Sequence, residues 1–337
     1  MLDMNSLVKT ITMQIVLDTY GINLSVRNKC FLLKKGRIKR MIHPSRVSSF
    51  LVTMPCNITS PAIILAASNE IAITVCSNTG SPDAKLWSSH FINTPALRRK
   101  QYLFNDCSAA CEWSKKMIRL KLKGQSANLA LIANRKEAIK ERSLEAISLI
   151  EQQIRNTEKV SSSTTNWTKT LRYLEASSAN QYWQTIGIKL PAPYYFEHRI
   201  KQKPPDAFNS SVNYLYGILR NHIETAILSL GLDPALGVMH VDGYNRPSLV
   251  FDLMEPFRPI MDKLLLENIL AGKLANSSVV DSDGVCWLNR KGRKKLIDLF
   301  NKKLHQPMVY NKQKTNLNNH VLTETKLLTH AIKRNGN

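Results

Sequence analysis

Lys116-Met-Ile-Arg-Leu-Lys-Leu-Lys-Gly-Gln-Ser-Ala-Asn-Leu-Ala-Leu-Ile-Ala-Asn134 marks the region where the chain changes its period. Apolar residues recur here at helical spacing among basic ones, the pattern of an amphipathic helix. Upstream, the apolar runs are short and cut by glycine and proline; downstream, one helical pattern follows another. The reading is an α+β fold. A small β-rich N-terminal domain, a sandwich or roll, covers residues 1–92, and a linker covers 93–115. A larger all-α C-terminal domain covers 116–310, and a flexible basic tail covers 311–337.

Working upstream, Ile11–Leu17, Leu24–Leu33 and Arg37–Ile42 read as strands, punctuated by Gly36 and Pro44. Phe50–Met54 and Ile71–Cys76 are continuous apolar runs of strand length. A helix starts between them, with Ser60 as cap and Pro61 at its first position. Working downstream, Arg135–Asn156 reads as a helix with Ile139, Ala146, Ile147 and Ile150 inward. After a Ser/Thr-rich linker, Val160–Thr165, come helices over Thr168–Gln184 and Ser211–Leu230. The last of these has Val212, Leu215, Leu219, Ile223 and Ile227 on one stripe. Arg290-Lys-Gly-Arg-Lys-Lys295 precedes a final helix, Leu296–Leu304.

With 337 residues and 43% hydrophobic content, the chain is long enough for two packed cores. Its net charge of +22 points to a polyanion, foremost nucleic acid bound through its phosphates. A hydrolase of neutral sugars would not require that charge. Met1–Thr12 has neither the long apolar core nor the cleavage site of a secretory signal. The longest apolar run, Ala62–Val75, is interrupted by Asn69 and Glu70, so no membrane span is expected. Cysteines at 30, 56, 76, 107, 111 and 286 are too scattered for a zinc site and suit a reducing cytoplasm as free thiols.

Glu175 lies at the edge of the apolar stripe formed by Leu171, Leu174, Ser178 and Tyr182. A carboxylate there must be paired, protonated or bound to a cation; a salt bridge to a Lys or Arg is the plain alternative. A second cluster lies in Gly237-Val-Met-His-Val-Asp-Gly-Tyr-Asn-Arg-Pro-Ser-Leu-Val-Phe-Asp-Leu-Met-Glu-Pro-Phe-Arg258. Asp252 and Glu255 share one helical face and can converge on a point, with His240 a short turn away. Carboxylates plus one imidazole suit a hard divalent ion, Mg²⁺ or Mn²⁺. The plain alternatives are a hydrogen-bonded core histidine and a Glu255–Arg258 pair. Pro256 cannot donate to the carbonyl of Asp252, so the helix is expected to weaken beside the two carboxylates.

Together these segments resemble the CRISPR-associated integrase and endonuclease of the spacer-acquisition module, the first of its two core adaptation proteins. The resemblance spans about residues 13–305. It is carried most strongly by Leu230-Gly-Leu-Asp-Pro-Ala-Leu-Gly-Val-Met-His240 and Arg246-Pro-Ser-Leu-Val-Phe-Asp-Leu-Met-Glu-Pro-Phe-Arg-Pro259. Leu174-Glu-Ala-Ser-Ser-Ala-Asn-Gln-Tyr-Trp183, Phe196-Glu-His-Arg199, Pro204–Asn209 and Asn213-Tyr-Leu-Tyr216 add to it. Lys121-Leu-Lys-Gly-Gln125 and Asn93–Gln101 are similar to weaker family blocks. Leu215 stands where the family often has glycine, and Ala207 where it has proline.

The resemblance implies that Glu175, His240 and Glu255 are metal ligands and Asp252 a supporting acid. It implies a dimerising β-rich domain, a helical catalytic domain and assembly with the small second adaptation protein. The implied reaction is metal-dependent insertion of short DNA fragments (prespacers) into a CRISPR repeat by transesterification, with hydrolysis when water attacks. Arg199 and Tyr216 are expected near the reacting strand, and the basic residues of 34–40, 98–100, 115–123 and 290–295 along the phosphates. A non-catalytic DNA-binding scaffold and a related transposon-borne integrase are the competing readings.

Overall fold

A computed structural model describes residues 13–76, 82–86, 88, 95–134, 140–163, 166–187, 190–192, 194–244, 246–274, 278–280 and 283–336. The chain forms two compact units, Met1–Asn93 with Asn301–His305, and Thr94–Phe300 with Gln306–Asn337. Ile11, Ile139 and the end of the Val160–Thr165 linker lie outside the described residues.

The first unit holds two four-stranded sheets. One has the order β1 (Met13–Leu17), β5 (Val47–Val52), β7 (Ala72–Cys76), β8 (Pro82–Leu86), the first three parallel and β8 antiparallel. The other runs β4 (Ile38–Ile42), β3 (Cys30–Lys35), β2 (Asn23–Arg27), β6 (Asn57–Ile58), antiparallel except for the parallel β2–β6 pair. Leu24, Phe31 and Ile42 from one sheet and Leu17, Phe50, Val52 and Ile73 from the other share a single core with Ala62 and Ala66 of α1 (Ser60–Ser68). Phe31 meets Phe50 edge to face at 4.8 Å.

Two local expectations change. Leu24–Leu33 is two strands, because Asn28 (φ 50°) and Lys29 (φ 57°) turn through left-handed backbone. Positive φ at both turn residues matches the twist of a tight hairpin. The α1 cap is Thr59 rather than Ser60, and Pro61 falls inside the first turn, where its missing N–H costs nothing.

The second unit is helical: α2 (Pro95–Phe104), α3 (Ser108–Ala133), α4 (Lys140–Glu158), α5 (Trp167–Gly187), α6 (Ala207–Ser229), α7 (Ser248–Met254) and α8 (Arg258–Leu270). The expected linker thus contains α2 and the start of α3. In α4, Ala146 and Ile150 are buried and Ile147 is half-buried. The unit is not all-α, since β9 (Ser278–Val280) pairs with β10 (Cys286–Leu288) and β11 (Pro307–Tyr310) with β12 (Gln313–Asn316). The final expected helix, α9 (Arg290–His305), begins earlier than its apolar residues suggest, because the Asn289 side chain accepts from the Gly292 N–H.

The segment read as a flexible tail has regular structure. Asn311 and Lys312, again both at positive φ, close the β11–β12 hairpin. Asn316 caps α10 (Leu317–Asn335), which buries Leu317, Val321, Leu328 and Ile332 at helical spacing. This helix packs on α2, α3 and α6. No helix among the described residues is long and apolar enough to cross a membrane.

Candidate active site

Pro256 sets the local geometry. Lacking an N–H, it cannot continue the helical ladder from α7. The Glu255 N–H turns to the Asp252 carbonyl, and Glu255–Phe257 tightens into a 3-10 turn before α8 resumes at Arg258. The expected weak point therefore exists, and it aims Asp252 and Glu255 at different partners. They do not converge on one point.

Glu255 faces α3. The Lys121 ammonium donates to Glu255 Oε2 at 2.5 Å and also to Glu175 Oε1, so one cation joins a carboxylate from α5 to one beside α7. Arg258 Nε donates to the other Glu255 oxygen at 3.0 Å. Glu255 is 4% exposed and Lys121 6%. Burial alone would raise the Glu255 pKa, but the Arg258 and Lys121 charges outweigh it and hold the carboxyl at about 2. Burial likewise pulls Lys121 down, and Glu175 and Glu255 more than reverse it. Removing one member of such a buried network costs about 3–5 kcal/mol.

Asp252, wholly buried, accepts from the backbone N–H groups of Val238 (2.6 Å), Met239 (3.0 Å) and His240 (3.0 Å). His240 Nδ1 lies 2.6 Å from the same carboxylate. A carboxylate can only accept, so Nδ1 is the donor in this contact, which fixes the orientation of the ring and leaves Nε2 on its far side. His240 lies within electrostatic reach of Glu255, where a protonated ring adds a minor lowering to that of Arg258 and Lys121. The loop bearing it is clamped from α2, where the Gln101 side chain exchanges hydrogen bonds with the Asp233 backbone at 2.8 Å each way. Asn105 Nδ2 donates to the Gly237 carbonyl at 2.7 Å. Gly237 is required by space: a Cβ there would lie 2.5 Å from the His240 carbonyl oxygen and 2.6 Å from Ser248 Cβ.

Arg199 and Tyr216 form an adjoining wall. The Arg199 guanidinium donates to Asn209 Oδ1 (3.0 Å) and Asn213 Oδ1 (2.6 Å) and lies over the rings of Trp183 and Tyr216. Arg258 covers the same Tyr216 ring, 4.8 Å from its centroid. Tyr216 donates to the buried Asp262 at 2.6 Å, and Tyr182 at 3.2 Å. Lys201, open to solvent on one side, sits at this mouth; partial desolvation by its protein neighbours, then the Arg258 charge, lowers its pKa, with Glu255 and Glu175 opposing.

The structure thus gathers Glu175 and Glu255 around Lys121, gives His240 to Asp252, and engages Arg199 and Tyr216 with protein groups. Sequence reasoning missed the roles of Lys121, Gln101, Asn105 and Lys201. The signal for Lys121 was available: Met117, Lys121 and Gln125 step by four along a buried face, where a lysine needs carboxylate company. Within the basic block 115–123, Lys115, Lys116 and Arg119 also face carboxylates, those of Glu112, Glu324 and Glu158.

Among the described residues, no group of three or more His, Cys, Asp and Glu side chains forms a ready-made ion cage. The donor chemistry nevertheless fits a hard divalent ion. Two carboxylates, one from α5 and one from the turn after α7, converge on one cationic centre, and an imidazole oriented by Asp252 lies within electrostatic reach of Glu255.

Comparison with known proteins fits this architecture. Residues 15–302 match the family model described as CRISPR associated protein Cas1. A CRISPR-associated endonuclease Cas1 of Archaeoglobus fulgidus is 29% identical over 298 residues, covering 85% of this chain and 86% of that protein. A casposase bound to its integration product shares the fold at TM-score 0.80 and 22% identity, covering 96% of this chain and 91% of that one. A chain of a Cas6-RT-Cas1–Cas2 complex does so at TM-score 0.78 and 19% identity, covering 96% and 35%. The chain belongs to the CRISPR-associated Cas1 family.

Proposed function

We propose that this protein is a divalent-metal-dependent DNA endonuclease and integrase that inserts DNA fragments into a CRISPR array during antiviral defence. The observation that carries the reading is the convergence of Glu175 and Glu255 on one cationic centre, with His240, oriented by Asp252, within electrostatic reach of Glu255. The net charge of +22 supplies long-range attraction for DNA. Homology to proteins named as endonucleases supports the same activity.

Glu175, His240 and Glu255 would hold Mg²⁺ or Mn²⁺, with Asp252 fixing the imidazole. When bound, such an ion supplies Lewis acidity at a phosphoryl oxygen. This chain's own residues do the rest. Arg258, anchored on Glu255 and stacked on Tyr216, sets positive charge at the mouth, and Lys201 adds an exposed ammonium. Arg199 and Tyr216 form the wall against which the reacting strand would lie. In strand transfer, a DNA 3′-hydroxyl attacks a phosphodiester; the new P–O bond forms as the old one breaks, and the displaced oxygen takes a proton. Water in place of the hydroxyl gives cleavage.

A cavity of about 230 Å³ lined by Lys273, Lys291, Lys294, Lys295 and Asp298 offers a further basic surface for the DNA backbone. Pairing of two copies is assigned to the β-rich unit, whose edge strand β4 exposes Ile38 and Met41. The small adaptation protein Cas2 is the expected partner, as in the solved complex containing both. The cysteines among the described residues are not joined in disulfides, in keeping with the proposed place in a reducing cytoplasm.

The test is integration of a labelled oligonucleotide into a repeat-containing plasmid, with Mn²⁺, Mg²⁺ or chelator. Metal-dependent joined product supports the reading; DNA binding without cleavage or joining under every condition would leave a scaffold. A repeat array beside the gene would separate the CRISPR role from a transposon-borne integrase.

A further inference from the structure

The proposed metal site already contains a cation of its own. The Lys121 ammonium contacts both Glu175 and Glu255, the carboxylates assigned to the ion, and it is buried. Arg258 is the second cation, on the far oxygen of Glu255. Two carboxylates and two cations leave this group electrically balanced. A divalent ion entering beside Lys121 would meet like charge at contact distance in a poorly hydrated place, where such repulsion is strong.

We propose that Lys121 is an internal counter-cation that holds Glu175 and Glu255 together without metal and must withdraw for the divalent ion to bind. It thereby sets the site's metal affinity. This rests on the metal-dependent reading above. Lys121 has a flexible stem of four methylenes on which to swing, and its partner Glu175 opens to solvent, its side chain 23% accessible. Its withdrawal would free an ammonium next to the carboxylates as the phosphate arrives. Lys121 is therefore a positioning residue, acting through the ligands, and its effect belongs in metal binding as well as in turnover.

The experiment measures Mn²⁺ binding to the full-length protein by the electron paramagnetic resonance of free Mn²⁺, without DNA, at one pH. Wild type, Lys121→Gln, Lys121→Arg and Lys123→Gln are compared. Lys123→Gln removes the same charge from an exposed face of the same helix. Lys121→Gln should bind Mn²⁺ about tenfold or more tightly than wild type, and Lys123→Gln within about twofold. Lys121→Arg, which keeps the charge, should show no gain.

A folded Lys121→Gln that binds no more tightly than wild type would overturn the proposal, as would Lys121→Arg gaining as much as Lys121→Gln. Should Lys121→Gln unfold without metal, recovery of a cooperative melting transition on adding Mn²⁺ supports the proposal, and failure to recover counts against it. Binding by neither wild type nor Lys121→Gln would instead overturn the metal reading itself.

Discussion

His240 Nδ1 stands 2.6 Å from Asp252 Oδ1, and the same buried carboxylate collects the N–H groups of residues 238–240. Asp252 therefore shapes the loop and orients the imidazole in one stroke. Asp252→Ala strands several buried donors, and the expected loss is about 3–5 kcal/mol. Chemical denaturation reads this directly. A loss under about 1 kcal/mol would mean the loop is held by other contacts.

Gly237 gives a second, steric test of the same loop. A methyl group at this position meets the His240 carbonyl oxygen and Ser248 Cβ. Gly237→Ala should cost about 1–3 kcal/mol and lower nuclease activity even where the protein remains folded. Wild-type melting temperature and activity together would contradict this packing.

Acid and neutral pH should act on two carboxyls in opposite directions. Glu255, held at about 2, contributes stability that is present above the ordinary value near 4 and lost as pH falls from about 4 to about 2. Asp262 is pushed up to about 6 by burial, against the hydrogen bond from Tyr216 and the Arg199 charge. Its contribution is present below about pH 4 and lost as pH rises from about 4 to about 6. The melting temperature of wild type relative to Asp262→Asn should therefore fall across pH 4 to 6. A constant difference across that window would show that Asp262 titrates normally.

How much of this was readable from residues alone follows from how local each signal is. Glu175 stands out at the edge of an apolar stripe, and Asp252 and Glu255 as a carboxylate pair a turn from His240. The choice of Glu175, His240 and Glu255 among them rests on the family resemblance, while Pro256 announces the 3-10 turn beside Glu255. Lys121 meets its partners across 54 and 134 residues, so no window of sequence displays the triad, although its place on a buried face was a clue. The two hairpin turns were missed for a different reason. Both are Asn-Lys, and lysine at positive φ (57° at Lys29, 64° at Lys312) lacks the glycine that usually signals such a turn. In α10 the inward face includes His320, Glu324, Thr325 and Thr329 between its apolar residues, which reads as a polar tail until the packed neighbours are seen.

Salt should reveal the DNA surface. Duplex affinity should fall log-linearly with salt, at a slope of about −0.9 per phosphate neutralised. Lys201→Gln should make that slope shallower by about one if its ammonium meets a phosphate at the site mouth. A slope equal to wild type would remove Lys201 from the interface.

The central claim is that Glu175 and Glu255 hold the ion that makes this basic protein an integrase. The most direct measurement compares Mn²⁺-dependent cleavage and strand transfer by wild type, Glu175→Gln and Glu255→Gln, alongside duplex retention by each folded protein. The account predicts that either substitution lowers both reactions by about a hundredfold or more, while retention changes by no more than about twofold because phosphate contacts carry it. Strand transfer at wild-type rate in both variants would contradict it.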